Sequence, residues 1–110
     1  MKVLTIKRSK WLTGSTHNSY LLRPQDQKMC CLGFLAKKRG ASNEDILGQK
    51  DPSYTSANVS WPRKLCDRYE LTDLCSEMIE VNDGRMANDK REEKLRPLFR
   101  KIGITLRFID

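Results

Sequence analysis

The sequence predicts an α+β fold. A small two- or three-stranded sheet formed by the N- and C-terminal strands packs against a central buried helix and two or three further helices. Three observations predict it. Both ends alternate in hydropathy, at Val3 to Arg8 and Ile104 to Ile109. The stretch Lys28-Met29-Cys30-Cys31-Leu32-Gly33-Phe34-Leu35-Ala36 is the densest apolar run and has sharp polar boundaries. Two later segments, around 71–81 and 88–102, carry apolar residues at helical spacing. The 110 residues correspond to one domain spanning 1–110.

In chain order, Leu4 and Ile6 share one face of the first strand, with Val3, Thr5 and Lys7 on the other. A polar loop from Thr13 to Ser19 follows, and Tyr20-Leu21-Leu22 reads as a short second strand closed by Arg23-Pro24 and a turn at Asp26. A helix is expected from about Met29 to Arg39, apolar nearly all round in its first turns, with Gly40 in the left-handed position after its end. Gly33 inside that helix costs roughly 1 kcal/mol against alanine, which points to a neighbouring backbone in close approach.

Ser42 with Asp45 marks a short helical turn ended by Gly48, and Gln49 to Ser60 reads as a surface loop. Trp61-Pro62 is expected to open a short helix through Cys66 with Ser60 as its cap. Leu74, Met78 and Val81 form one stripe of the next helix, with Cys75 and Ile79 beside it and Asn82-Asp83-Gly84 as the turn that stops it. Asn88 is expected to cap a last helix striped by Leu95, Leu98, Phe99 and Ile102, with a kink or break at Pro97. Gly103 ends it, and Ile104, Leu106 and Phe108 point inward from the final strand.

Charge is unevenly placed within the net +7. Residues 1–40 carry nine Lys/Arg against one acid, residues 41–83 four against nine, and residues 84–110 eight against four. Basic ends around an acidic middle suit nucleic acid or an acidic protein surface. No run approaches the ~18 apolar residues of a membrane span, and the cation-interrupted N-terminus does not read as a signal peptide. The four cysteines are therefore expected to be reduced thiols in a cytosol, and Asn58-Val59-Ser60 has no meaning as a glycosylation site.

Cys30, Cys31, Cys66, Cys75 and His17 include no close C-x₂-C pair, so no metal is expected, and no cofactor signature or phosphate loop occurs. A cysteine nucleophile is sharper: a thiol in the first turn of a helix is favoured as thiolate by the dipole. Cys30 or Cys31 would serve, with His17 as base and Asn18, Asp26 or Asp83 orienting it, yet the apolar surroundings predict burial. A binding surface draws on Lys7, Arg8, Lys10 and Trp11, which mix cations with an aromatic, and on Arg91, Lys94, Arg100 and Lys101 of the last helix.

The string Met29-Cys30-Cys31-Leu32-Gly33-Phe34-Leu35, preceded by Leu21-Leu22-Arg23 and followed by Trp61-Pro62 and Asn82-Asp83, resembles a pattern in small uncharacterised phage and prophage proteins with a Cys-Cys-Leu-Gly-aliphatic motif. Leu4-Thr5-Ile6 and Gly103-Ile104 fit it too, while Lys37-Lys38 departs from it. The resemblance implies a phage setting and no particular chemistry. The expectation is a non-catalytic accessory protein that inhibits or modulates a host or anti-phage defence protein, of the anti-CRISPR kind. Its partner would be that protein, alone or in a nucleoprotein complex. A nucleic-acid-binding regulator and a cysteine hydrolase are the alternatives.

Overall fold

The computed structural model describes residues 2–14 and 19–110. The two alternating ends form strands, β1 at Lys2–Lys7 and the last strand at Ile104–Ile109. They pair with each other in parallel, Lys2 beside Ile104 through Lys7 beside Ile109. A parallel pair requires a long crossover, and here nearly the whole chain supplies it. Leu4, Ile6, Ile104, Leu106 and Phe108 are buried on one face, as their alternation predicts, while Val3, Thr5, Lys7 and Arg107 stand exposed on the other.

Helix α1, Cys31–Lys38, lies against β1 and is buried from Cys31 to Ala36. It starts two residues later than the sequence suggests, because Met29 is extended. Met29 N–H donates to the Lys10 carbonyl at 2.9 Å and its own carbonyl accepts from Leu12 N–H at 2.8 Å. Gly40 takes the left-handed position, φ +97°, and Ala41 N–H returns to the Ala36 carbonyl at 3.0 Å, closing the helix as a Schellman turn. A Cβ on Gly33 would sit 1.9 Å from the Leu21 carbonyl oxygen, so the close backbone approach is real. Tyr20 to Leu22 is not a sheet strand; Leu22 makes a single bridge to Leu47.

Ser42 and Asp45 form the expected capping box of α2, Asn43–Ile46. The segment read as a surface loop is partly core: Pro52, Thr55 and Val59 are buried, and Trp61 Nε1 donates to Thr55 Oγ1 at 2.8 Å. The short helix expected from Trp61 does not continue past one turn on the Pro62 carbonyl. The chain instead enters a hairpin of β2, Cys66–Asp67, and β3, Glu70–Leu71. Arg68 and Tyr69 both take positive φ, 49° and 68°, as a primed two-residue turn demands.

Thr72 caps α3, Asp73–Asp83, by accepting from Cys75 N–H. The helix runs two residues past the expected stop, and its most buried line is Cys75, Met78 and Asn82. Helix α4, Asn88–Arg100, is capped at Ala87, not Asn88, and runs through Pro97 without a break. Pro97 and Glu93 are exposed, so water can reach the Glu93 carbonyl that Pro97 leaves without a donor. The final strand, β4, follows, with α4 packed against it and against α3. The apolar side chains of all these elements except the β2–β3 turn meet in one contiguous core. Among the described residues no helix is long and apolar enough to cross a membrane.

Candidate functional site

The N-terminus of α1 is where the distinctive Cys-Cys pair meets the rest of the chain. Cys30 occupies the cap position but makes no side-chain cap bond. The cap comes from across the core: Asn82 Oδ1 accepts from Cys31 N–H at 3.0 Å. The same oxygen accepts from Trp11 Nε1 at 2.8 Å, while Asn82 Nδ2 donates to the Leu12 carbonyl and to Asp83 Oδ1, each at 2.9 Å. Four bonds, two accepted and two donated, use the full capacity of the amide. Asn82 thus ties α3, α1 and the segment after β1 together, and its place on α3 makes it a core residue rather than a turn residue.

Asp83 also accepts from Ser19 Oγ at 2.7 Å. Burial pushes its carboxyl up from the ordinary range, with the Asn82 and Ser19 bonds and the Arg91 charge opposing that shift. Arg91 is itself buried. Its Nε donates to the Val81 carbonyl at 3.1 Å, and its Nη atoms reach Asn88 Oδ1 and the Gly84 carbonyl, so it closes the end of α3. Among the described residues, no buried side-chain nitrogen or oxygen lacks a hydrogen-bond partner.

This environment opposes thiolate chemistry. Burial pushes the Cys30 thiol up to about 12, with the nearby Asp83 charge adding to it, and raises Cys31 well above its ordinary value, with the neighbouring thiol and Asp83 contributing. Burial likewise lifts Cys75 to about 12 and raises Cys66. A nucleophilic cysteine needs the opposite shift, from a nearby cation or an outward-facing dipole. The space beside Cys30 and Cys31, between Ser19, Lys50 and Asp83, is about 10 Å³, room for about one water. His17 and Asn18, the base and one orienting group of the hydrolase reading, lie outside the described residues. Asp26 is bound instead to Arg23, which holds its carboxyl down at about 2. Among the described residues no three His, Cys, Asp or Glu side chains gather as a metal site.

The basic residues expected to form one surface are dispersed. Trp11 is buried, with its ring centroid 5.1 Å from that of Phe108, and so cannot stack on a base. Arg91 is inside the fold, and Arg8 is bidentate to Glu92 at 2.9 Å and bound to Asp110 at 3.1 Å. The carboxylate bonds hold the Arg8 guanidinium firmly charged. Lys94 lines a groove between α3 and α4 that also contains Glu77 and Glu93. Lys7, Lys10, Arg100 and Lys101 remain exposed without a carboxylate partner among the described residues.

A different cationic feature stands at the start of the sheet. Lys2, Val3, Leu4 and Ile104 on one side, and Leu35, Lys38, Arg39 and Gly40 on the other, enclose a groove of about 690 Å³. Lys2, Lys38 and Arg39 are exposed and meet no carboxylate among the described residues; Arg39 rests on the Ser60 carbonyl at 2.7 Å. Lys37, Lys38 and Arg39 suit the negative end of the α1 dipole, and that local role hides a second one. The available signal is that no acid lies within four residues of the three consecutive cations.

Comparison of the chain with protein-family models, with curated proteins and with solved structures finds no match.

Proposed function

We propose that the chain is a non-catalytic phage accessory protein that acts in the bacterial cytoplasm by binding and inhibiting a host or anti-phage defence protein. The observation that supports this reading is the groove beside β1: three cations that meet no carboxylate among the described residues, around an apolar lining of Val3, Leu4, Leu35 and Ile104. An acidic polypeptide surface matches it in charge, and its apolar floor suits side chains better than a phosphate backbone. Binding of nucleic acid loses support with the burial of Trp11 and Arg91, because base stacking and one phosphate contact go with them. The hydrolase reading loses support with the upward-shifted thiols.

The test is capture from phage-infected bacterial cells with the tagged protein and with a Lys2→Glu, Lys38→Glu, Arg39→Glu variant of unchanged melting temperature. The expected result is one bacterial protein retained in stoichiometric amount by the first, lost with the second, and indifferent to nuclease. Recovery of nothing stoichiometric, or retention that disappears with nuclease, overturns the reading.

A further inference from the structure

We propose that the outer edge of β1 is a docking site for an extended acidic segment of a protein partner, which would join the sheet as a third strand. The inference rests on the protein-binding reading above and names how that site would work.

The argument starts from parity. In a parallel pair, alternate residues of each strand point their N–H and C=O groups at the partner strand. The Leu106 carbonyl accepts from Arg96 Nη1 at 2.8 Å, so it faces α4, away from β1. With Leu106 opposite Leu4, the residues of β1 that bond to β4 are then Lys2, Leu4 and Ile6. Val3 and Thr5 direct their N–H and C=O groups to the other side. Outside the β1–β4 ladder, the Val3 and Thr5 main-chain groups make no hydrogen bond among the described residues. The two edges of the sheet are therefore unlike: Arg96 covers a carbonyl of β4, while β1 keeps two donors and two acceptors open.

An open edge invites a strand, and the flanking side chains select which one. Lys2 shares the alternation of Leu4 and Ile6, which places it on the side of the sheet where α1 carries Lys38 and Arg39. A strand laid along β1 would pass these three cations with every second side chain, so acids at alternate positions match them. A second copy of this chain does not. Lys2–Lys7 contains no acid, and self-pairing would bring the same cations to both sides of the new ladder.

The probe is an acetylated, amidated peptide of about ten residues alternating glutamate and valine, used with the full-length chain and with a lysine–valine control. Binding is read by fluorescence anisotropy, and the Val3 and Thr5 amides by hydrogen exchange in NMR spectra. The acidic peptide should bind saturably and the lysine peptide should not. The Val3 and Thr5 amides, fast-exchanging in the free protein, should become protected by about tenfold or more. Thr5→Pro removes an outward N–H while sparing the β1–β4 ladder, and should weaken binding about tenfold or more at unchanged melting temperature. Lys38→Glu with Arg39→Glu, both exposed at the end of α1, provides a second variant that should weaken binding and flatten its salt dependence.

Binding that leaves the Val3 and Thr5 amides unprotected overturns edge docking while leaving the cationic surface in place. Equal binding of the lysine peptide overturns the charge match. Peptide-free dimerisation that protects the same two amides overturns the choice of occupant. No binding of the acidic peptide at low salt overturns the proposal outright.

Discussion

Asn82→Ala tests the central structural claim most directly. Truncation leaves three buried groups without their partner: Trp11 Nε1–H, Cys31 N–H and the Leu12 carbonyl. A buried polar group stranded in this way costs about 1–3 kcal/mol. Three at the low end give about 3 kcal/mol, and water entering the vacated space limits the total to about 5 kcal/mol. That is a large share of the ~5–15 kcal/mol that holds a domain folded. At about 4 °C per kcal/mol, the midpoint of thermal unfolding should fall by about 12–20 °C. Urea unfolding followed by tryptophan fluorescence is the assay, with the slope m checked against the unaltered protein. Trp11→Phe removes only one of the three donors and acceptors, and a double-mutant cycle with Asn82→Ala should return a coupling of about 1 kcal/mol. A loss below about 1 kcal/mol for Asn82→Ala, with m unchanged, would refute the assignment of Asn82 as the tie between α3, α1 and the segment after β1.

Gly33→Ala should cost more than any propensity gain returns, because its Cβ would lie 1.9 Å from a backbone oxygen; expect little soluble folded protein, and a melting point equal to the unaltered protein would contradict that contact. All four thiols are buried, so a thiol reagent at pH 7.5 should label none on the minutes scale and all four in guanidinium chloride. Rapid native labelling of Cys30 or Cys31 would reverse the reading of that site. Asp83 has a raised carboxyl, so its ionisation opposes folding: its favourable, neutral form is present at low pH and lost as pH rises through the raised value. Asp83→Asn removes that dependence, and its stability relative to the unaltered protein should therefore rise between about pH 4 and 7. A flat or falling difference would show that the Asn82 and Ser19 hydrogen bonds and the Arg91 charge together outweigh desolvation.

Much of the fold is legible because burial on one face leaves a period in the chain. Leu4 and Ile6, and Ile104, Leu106 and Phe108, announce two half-buried strands, and the Gly33 and Gly40 positions each declare a geometric need. What is hidden depends on partners distant in sequence. Asn82 reads as a turn residue because asparagine often bonds its own backbone; here its bonds go to Trp11, Leu12 and Cys31 as well as Asp83, so the helix continues beneath it. Arg91 reads as part of a binding surface because its acceptors are carbonyls, which leave no charge signature. The hairpin at Arg68 and Tyr69 lacks the glycine or asparagine that normally betrays positive φ. The candidate groove joins Lys2 to Lys38 and Arg39, and no local window contains both.

The parallel ladder has a consequence for how the molecule is made. Each residue of β1 pairs with one about a hundred positions later in the chain. At about 5–20 residues per second, the first strand leaves the ribosome and waits some 5–20 s before its neighbour has been synthesised. Throughout that interval both of its edges are bare, and Leu4 and Ile6 lack the layer that will cover them. Lys2 and Lys7 bracket the strand, so two nascent copies brought side by side would meet like charge at both ends of any pairing between them.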